Sequence, residues 1–308
     1  MFVFITSNDG IKLLKEGSPE KDRMDGAAAV SDGGVVLTGY SSGPWGGISS
    51  SGTTDFAAVK LDAAGNVSWR WKAGTTLEDF LGPCVETTDG NVVIAGDSQG
   101  SVNGTNNDGT RDIVAVKLDV ITGKEIWIYQ AGNSDTANVN ANVAAARADG
   151  SVVLAGSTHG TFADKLSTTD GDTDFAAVAI DANGEELWRW QDGPDHGTNI
   201  IYSCTALLDG SVVLAGTTGG DWDGVNKGDH DFAMVKLDES GFEEWRWQDG
   251  TEFYDKWEAA ATAIDGSIVV AGTTYGNWTG KKRILGDDQR DFAAMAIDEE
   301  GMLLWSYQ

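Results

Sequence analysis

Residues 209–218 read DGSVVLAGTT, and residues 231–247 read DFAMVKLDESGFEEWRW. The first stretch predicts an Asp-Gly turn that leads into a β-branched strand. The second predicts a strand, a tight turn and a further strand in which aromatic residues alternate with an arginine. Alternation at period two places Trp245 and Trp247 on one face of that strand and Arg246 on the other.

Both stretches occur five times in the chain. The DFAAVKL-type segment begins at Asp55, Asp112, Asp174, Asp231 and Asp291, and the tryptophans that follow are Trp69, Trp127, Trp188, Trp245 and Trp305. The preceding Asp-Gly or Gly-Gly turns begin at Asp32, Asp89, Asp149, Asp209 and Asp265. Successive copies lie 56 to 62 residues apart. Matched spacing over five copies indicates a repeat architecture.

Each copy predicts four strands: a small, Ala-rich strand, a β-branched strand, the DFAAVKL strand and the Trp-bearing strand. One sheet of this size cannot bury both of its faces, whereas copies stacked radially can. The Ala-rich strand suits the crowded centre of such a stack, and the Trp-bearing strand suits its rim. We therefore expect an all-β protein, a β-propeller. The alternative is a solenoid, although solenoid repeats are usually shorter and carry one or two strands each.

The combined pattern of DGxVVLAGTT, a loop and DFAAVKLDxxGxxxW resembles the β-propeller repeat family of bacterial and other microbial proteins, with four-strand repeats of roughly sixty residues. The resemblance covers nearly the whole chain. That family is often described as seven-bladed. The resemblance implies a propeller fold and no fixed activity, because a fold does not set a function.

The N-terminus matches only the second half of a repeat, since Phe2 corresponds to Phe56 and Asn8-Asp9-Gly10 to the following turn. We expect five complete four-stranded blades plus an N-terminal half blade, in a five- or six-bladed ring. A closed five-bladed ring with a spare hairpin is the alternative. The predicted single domain spans residues 1–308, with the half blade at 1–17 and blades at about 25–74, 79–132, 140–193, 200–250 and 256–308.

The chain carries 21 basic and 48 acidic residues, for a net charge of −27. Nucleic acid is an unexpected partner, because phosphate recognition needs a basic face. An anionic membrane surface is unexpected for the same reason. No stretch reaches the roughly 18 apolar residues of a membrane helix, and the N-terminus lacks the basic region of a signal peptide. The compartment stays open; an extracellular or cell-surface location is favoured if the chain is part of a longer protein.

Two kinds of connection separate the two faces of the predicted propeller. The turns between strands 1 and 2 and between strands 3 and 4 are short and uniform. The strand 2–3 and strand 4–1 connections share the other face and are longer and more variable. Variable loops on a rigid scaffold usually carry binding residues, so we expect any function on this second face.

An aromatic residue occupies a matched place in four of the strand 2–3 loops. These residues are Trp45, Phe162, Trp222 and Trp278, and Val102 stands there in the second copy. One hypothesis makes them shelves on which sugar rings stack. The other makes them architectural, each ring folding back over the edge of its own blade, because a residue repeated once per copy more often serves the fold.

The same loops are acidic and partly match a calcium loop, which needs oxygen ligands at alternate positions. The candidate ligands are Asn106, Asp108 and Asp112 in the second copy and Asp170, Asp172 and Asp174 in the third. An Asx turn that leads into strand 3 explains the same residues. Calcium is therefore a candidate cofactor, and no other cofactor is expected.

Catalytic patterns are weak in this sequence. The three histidines lie in different copies without metal-ligand spacing, and no nucleophile elbow or phosphate loop occurs in a credible context. Cys84 and Cys204 fall on first strands of non-adjacent blades. Because a disulfide requires Cα atoms within about 7 Å, we expect two buried free thiols.

These observations favour a non-catalytic scaffold or binding module that presents its strand 2–3 and strand 4–1 loops to a protein or a glycan. The alternative is a carbohydrate-active hydrolase with its site at the mouth of the central channel, which needs a pair of facing carboxylates. Further repeats of a longer parent chain, or pairing through an exposed edge strand, are additional partners that this architecture allows.

Overall fold

The computed structural model describes residues 2–7, 10–15, 17–102, 104, 111–132, 138–163, 172–279 and 290–308. Strands β1 (Phe2–Ser7) and β2 (Gly10–Lys15) form an antiparallel hairpin at the N-terminus. The remaining described residues build five four-stranded antiparallel sheets. The chain is thus an all-β repeat protein of propeller type, as the sequence predicts.

The five blades follow one another along the chain, and each runs from its first to its fourth strand. Blade 1 contains β3 (Asp22–Ala29), β4 (Val35–Ser41), β5 (Asp55–Leu61) and β6 (Val67–Ala73). Blade 2 contains β7 (Asp79–Glu86), β8 (Val92–Ser98), β9 (Asp112–Leu118) and β10 (Glu125–Ala131). Blade 3 contains β11 (Val139–Ala146), β12 (Val152–Thr158), β13 (Asp174–Ile180) and β14 (Glu186–Asp192). Blade 4 contains β15 (Asn199–Ala206), β16 (Val212–Thr218), β17 (Asp231–Leu237) and β18 (Glu243–Asp249). Blade 5 contains β19 (Asp255–Thr262), β20 (Ile268–Thr274), β21 (Asp291–Ile297) and β22 (Leu303–Tyr307).

The Asp-Gly turns between first and second strands form as the sequence predicts. In blade 4, Gly210 has φ of 88°, a left-handed conformation that glycine adopts without strain. The Asp209 carboxylate accepts a hydrogen bond from the Ser211 amide at 2.9 Å, which fixes the turn.

The glycine of the VVLAG motif is required by the way the first two strands pair. Every first strand has an irregularity in its register beside this glycine, as between Ile201 and Ser203 in blade 4. A Cβ atom built on Gly216 would lie 1.9 Å from the Ile200 carbonyl oxygen. The matched glycines Gly39, Gly96, Gly156 and Gly272 leave 1.9 to 2.1 Å to the same backbone oxygen. No side chain fits there without moving the backbone.

Consecutive blades pack through one repeated contact at the rim. The rim indoles of blades 1 to 4 donate from Nε1 to a backbone oxygen in the strand 3–4 turn of the next blade, as Trp188 does to Glu239 at 2.9 Å. The matched pairs are Trp69 with Val120, Trp127 with Ala182 and Trp245 with Glu299, at 2.9 to 3.0 Å. Apolar clusters formed by facing residues of neighbouring blades lie inside this contact.

The outward face of blade 5 carries the same residues without a blade over them. Phe292 is 59% exposed, whereas Phe232 at the matched position in blade 4 is fully buried. The rim residue Trp305 is 48% exposed. The described residues therefore leave one apolar blade face open to solvent.

Cys84 and Cys204 are both free, as predicted. Cys84 is buried and Cys204 is half-buried in the packing of blades 3 and 4. Burial raises the pKa of the Cys84 thiol to about 11 and that of Cys204 to about 12. Both thiols therefore stay protonated at neutral pH and are poor nucleophiles. In the part of the chain that the structure describes, no helix is long and apolar enough to span a membrane.

Gly216→Ala should lower the free energy of unfolding by about 1–3 kcal/mol or more, because its methyl group overpacks against the backbone of β15. Urea denaturation measures the change. Gly82→Ala is the matched control, because a Cβ there would meet no heavy atom within 4 Å. Equal losses in the two variants would show that the close approach to β15 does not constrain position 216.

Candidate functional site

The four loop aromatics lie inside the propeller rather than on its surface. Trp45, Phe162 and Trp222 are buried and Trp278 is partly buried. Trp222 packs against Phe175 with ring centroids 4.6 Å apart, and its Nε1 donates to Asp192 at 3.0 Å. Phe175 and Asp192 belong to blade 3, so Trp222 reaches back over the preceding blade.

Trp278 repeats this arrangement one blade later. Its ring lies 5.0 Å from that of Phe232, and its Nε1 donates to Asp249 at 3.0 Å. Both indoles thus have a buried ring and a satisfied polar atom, which is an architectural arrangement. They cover the preceding blade rather than the edge of their own, because the loop crosses the blade boundary. In these positions the rings offer no open face on which a sugar could stack.

A glutamine holds the matched loop in place in blades 2 to 5. In blade 3, Gln191 accepts hydrogen bonds from the Phe162 and Ala163 amides at 2.7 and 3.0 Å, and donates to Asp174 at 2.8 Å. Gln130, Gln248 and Gln308 contact the matched loops in blades 2, 4 and 5, and blade 1 uses Lys72, whose Nζ lies 3.0 Å from Asp55. The sequence signal for this role is a glutamine directly after the second aromatic residue of the rim strand. These glutamines are not among the predicted site residues.

The candidate calcium ligands divide between described and undescribed residues. Asn106, Asp108 and Asp170 lie outside the described residues. Asp112 and Asp174 are buried and accept hydrogen bonds from Gln130 and Gln191. Asp172 Oδ2 lies 3.8 Å from His196 Nδ1. Within the described ranges, no group of three or more His, Cys, Asp and Glu side chains is placed to hold a metal ion. Calcium binding stays a prediction.

Trp222→Ala should cost about 3–5 kcal/mol of unfolding free energy, because it empties a packed site between two blades. Phe242→Ala is the control, because Phe242 is 72% exposed and surface substitutions usually change stability by about 0.5 kcal/mol or less. Chemical denaturation measures both. A Trp222→Ala protein that unfolds like the parent but loses a glycan ligand would contradict the architectural role.

The variable residues of the repeat converge at the mouth of the central channel. Three positions in each blade are concerned, and nine of the fifteen residues at these positions line one of two cavities. The three positions are the residue before strand 1, the residue after the strand 2 glycine and the residue before strand 3. They are Lys21, Tyr40 and Thr54; Glu78, Asp97 and Arg111; Asn138, Ser157 and Thr173; Thr198, Thr217 and His230; and Tyr254, Thr273 and Arg290. The strand 2 glycine and the first residue of strand 3 are the same in all five copies, whereas these three positions differ in size and charge.

Blade 2 places a charged cluster at this mouth. Arg111 lies 2.9 Å from Glu78 and 2.7 Å from Asp97. Its guanidinium also lies over the ring of Phe80, 4.8 Å from the centroid. Phe80 in turn meets Tyr40 of blade 1 edge to face at 4.9 Å. The cluster therefore fixes an arginine and two rings across the boundary of blades 1 and 2.

A cavity of about 1130 Å³ opens beside this cluster and is lined by the first strands of blades 1 to 4. Its walls include Arg23, Asn140, Asn142, His159 and Tyr202. Hydroxyl, amide, imidazole and charged groups thus share the wall of this cavity with small residues such as Gly26 and Ala27 and with apolar side chains such as Leu81 and Ile200. Such a wall can donate to and accept from a polar ligand at several points.

The pKa of Asp97 rises to about 6, mainly because burial penalises the charged carboxylate. The Arg111 guanidinium lowers this pKa, but it does not offset the burial. Burial likewise raises the pKa of Asp79 and Asp255. The Asp97 carboxyl therefore holds a proton in the folded protein between pH 3.8 and about 6, where the unfolded chain has lost it.

Asp97 should contribute stability that grows as the pH falls through about 6, because its folded-state pKa is raised above the ordinary value of 3.8 and the folded state takes up the proton first. Asp97→Asn should flatten this dependence. The readout is the thermal midpoint measured at a series of pH values. Asp265→Asn is the control. Hydrogen bonds from Ser267 lower the Asp265 pKa, so protonation of Asp265 changes the stability only below this pH window. An unchanged slope in Asp97→Asn would show that Asp97 is ionised throughout.

No family model matches this sequence, and no curated protein matches it. Solved structures share its fold. A protein of unknown function from Bacteroides caccae is 14% identical, with a TM-score of 0.50, over 96% of this chain and 85% of its own. Kuenenia stuttgartiensis hydrazine synthase is 13% identical, with a TM-score of 0.53, over 90% of this chain and 71% of its own. The Dos1 propeller is 10% identical, with a TM-score of 0.52. The match covers 99% of this chain and 61% of the Dos1 chain. At such identities the likeness shows the fold alone.

Proposed function

We propose that this chain is a non-catalytic binding module whose working surface is the channel mouth on the face of the strand 2–3 and strand 4–1 connections. The observation that carries the proposal is the contrast between neighbouring positions of the repeat. The strand 2 glycine and the Asp that begins strand 3 recur in all five blades, whereas the three mouth positions beside them differ in size, charge and hydrogen-bonding capacity. A surface that the fold leaves free to vary is where a specific ligand is recognised.

The ligand that suits this surface is a protein or a glycan. The cavity of about 1130 Å³ is at or above the upper end of small-molecule pockets and is open to solvent. It presents fixed polar groups beside Tyr40 and Phe80, and aromatic and arginine side chains are the residues that dominate recognition surfaces. The net charge of −27 disfavours phosphate-rich partners.

The loop aromatics are not part of this proposed surface. Trp222 and Trp278 are used within the fold, so the glycan alternative now rests on the rings at the mouth. Among these, Tyr40, Phe80 and Tyr202 line the cavity. Calcium bound at the Asn106–Asp112 loop would stiffen a neighbouring connection, and this is a separate proposal from binding at the mouth.

A carbohydrate-active hydrolase at the same mouth is the second candidate. The observation that favours it is Asp97, a carboxyl group whose pKa of about 6 keeps a proton available near neutral pH. Glu78 is the second carboxylate of the cluster, and both engage Arg111. A glycosidase would need these groups on opposite sides of a glycosidic bond. Release of reducing sugar by the parent, lost in Asp97→Asn, would favour this candidate over the binding module.

Arg111→Ala and Phe80→Ala should each weaken a mouth ligand by about ten-fold or more, since arginine and aromatic anchors carry most binding energy. The ligand is found by screening the purified chain against a glycan array and a displayed peptide library, and its Kd is then measured by calorimetry. Lys124→Ala is the control, because it removes one positive charge from an exposed site on the opposite face of blade 2. Ligands that depend on Lys124 but not on Arg111 or Phe80 would place the working surface on the opposite face.

A further inference from the structure

Two blades carry an arginine at the same position of the channel mouth. Arg111 precedes the first residue of β9 in blade 2, and Arg290 precedes the first residue of β21 in blade 5. The other three blades have Thr54, Thr173 and His230 there. Because the repeat places both arginines on equivalent backbone, blade 2 serves as an internal reference for blade 5.

In blade 2 the arginine is neutralised by the chain itself. The residue before strand 1 is Glu78 and the residue after the strand 2 glycine is Asp97, and both carboxylates contact Arg111. Arg111 therefore has two anionic partners. The guanidinium side chain is only 25% exposed.

In blade 5 the two matched positions hold Tyr254 and Thr273, which carry no negative charge at neutral pH. Arg290 is exposed, and its guanidinium lies over the ring of Tyr275, 5.3 Å from the centroid. Among the residues that the structure describes, Arg290 forms no ion pair. The same arginine that is neutralised in blade 2 is thus left with a neutral, aromatic setting in blade 5.

A cavity of about 360 Å³ lies between these side chains. It is lined by Tyr254, Lys256, Glu258, Thr273, Tyr275 and Arg290. The one carboxylate of this lining, Glu258, lies 3.3 Å from Lys256 Nζ, and Lys256 also lies over the ring of Tyr202 at 3.7 Å. Glu258 and Lys256 compensate each other, so among the described lining residues the positive charge of Arg290 has no carboxylate partner in this cavity.

We propose that this cavity binds the carboxylate of an acidic sugar, a uronic acid residue of a glycan. The fork of N–H donors on Arg290 matches a carboxylate, which takes the place that Glu78 and Asp97 fill in blade 2. Tyr254 and Thr273 line the same cavity and supply hydroxyl groups of the kind that bond sugar hydroxyls. Burial raises the pKa of Tyr254, so its phenol stays a hydrogen-bond donor. The proposal rests on the channel mouth being the binding surface.

An acidic glycan suits this cavity better than an acidic peptide. A volume of about 360 Å³ is at the small end of ligand pockets, which matches one sugar unit rather than a folded segment. The tyrosine rings at its wall offer apolar faces to the C–H side of a sugar ring. An acidic peptide needs several cations along its length, whereas this cavity offers one uncompensated arginine.

The test compares an α-1,4-linked galacturonate trisaccharide with the neutral galactose trisaccharide of the same linkage, titrated into the full chain by calorimetry. The acidic sugar should bind at least about ten-fold more tightly, because a charge-assisted bidentate contact is lost with the neutral sugar. Arg290→Gln should remove this preference. Thr273→Asp should remove it as well, because it restores the carboxylate that blade 2 has at this position.

Lys124→Gln is the matched control for charge, since it removes one positive charge from the opposite face. It should change the Kd by no more than about two-fold, which is far less than the change expected from the loss of one charged hydrogen bond. Thermal unfolding of each variant verifies that it folds.

Absence of binding by the folded parent, or binding that survives both Arg290→Gln and Thr273→Asp, would overturn the proposal. Tighter binding of a hexaglutamate peptide with the same dependence on Arg290 would overturn the assignment to a glycan. If another ligand binds with a Kd that depends on Arg111 and Phe80, the proposed function stands whether or not the acidic sugar binds.

Discussion

The contact between a rim indole and the turn of the next blade is the interaction on which the propeller depends. Trp188 donates to the Glu239 carbonyl oxygen, and a Cβ on Gly241 would lie only 2.6 Å from the indole ring. The same geometry joins each consecutive pair of blades. It requires a tryptophan at the end of one repeat and a glycine with positive φ in the next, so the fold can be read from residues that lie about fifty residues apart.

This contact also explains why the rest of the repeat is so constant. With the rim fixed, the inner strands converge, and the strand 2 glycines allow the first and second strands to approach within a distance that no side chain permits. The loop aromatics and the glutamines then cover the remaining gap between blades. Every blade depends on its successor for this cover, which is why Phe292 and Trp305 are exposed where no further blade follows in the described residues.

The proposed binding surface is what remains after these requirements are met. At the channel mouth the blades share a backbone but not their side chains, and the comparison of blade 2 with blade 5 shows how a small change alters the chemistry. Arg111 has two carboxylate partners in its own blade, whereas the two positions matched to those carboxylates beside Arg290 hold a tyrosine and a threonine. A repeat protein can thus create distinct sites by exchanging two residues without disturbing its core.

The sequence by itself determined the blade, because the period-two strands, the turn glycines and the rim tryptophans are local requirements repeated at a fixed spacing. It also determined that Cys84 and Cys204 stay apart, since they lie on first strands of different blades. It did not determine the role of Trp222, because exposure depends on which neighbouring blade lies over a loop and this is not encoded next to the residue. Nor could it pair Arg111 with Glu78 and Asp97, which lie 33 and 14 residues away. Only the tertiary structure, by bringing three separate connections to one channel mouth, decided which charges are neutralised and which stay available to a ligand.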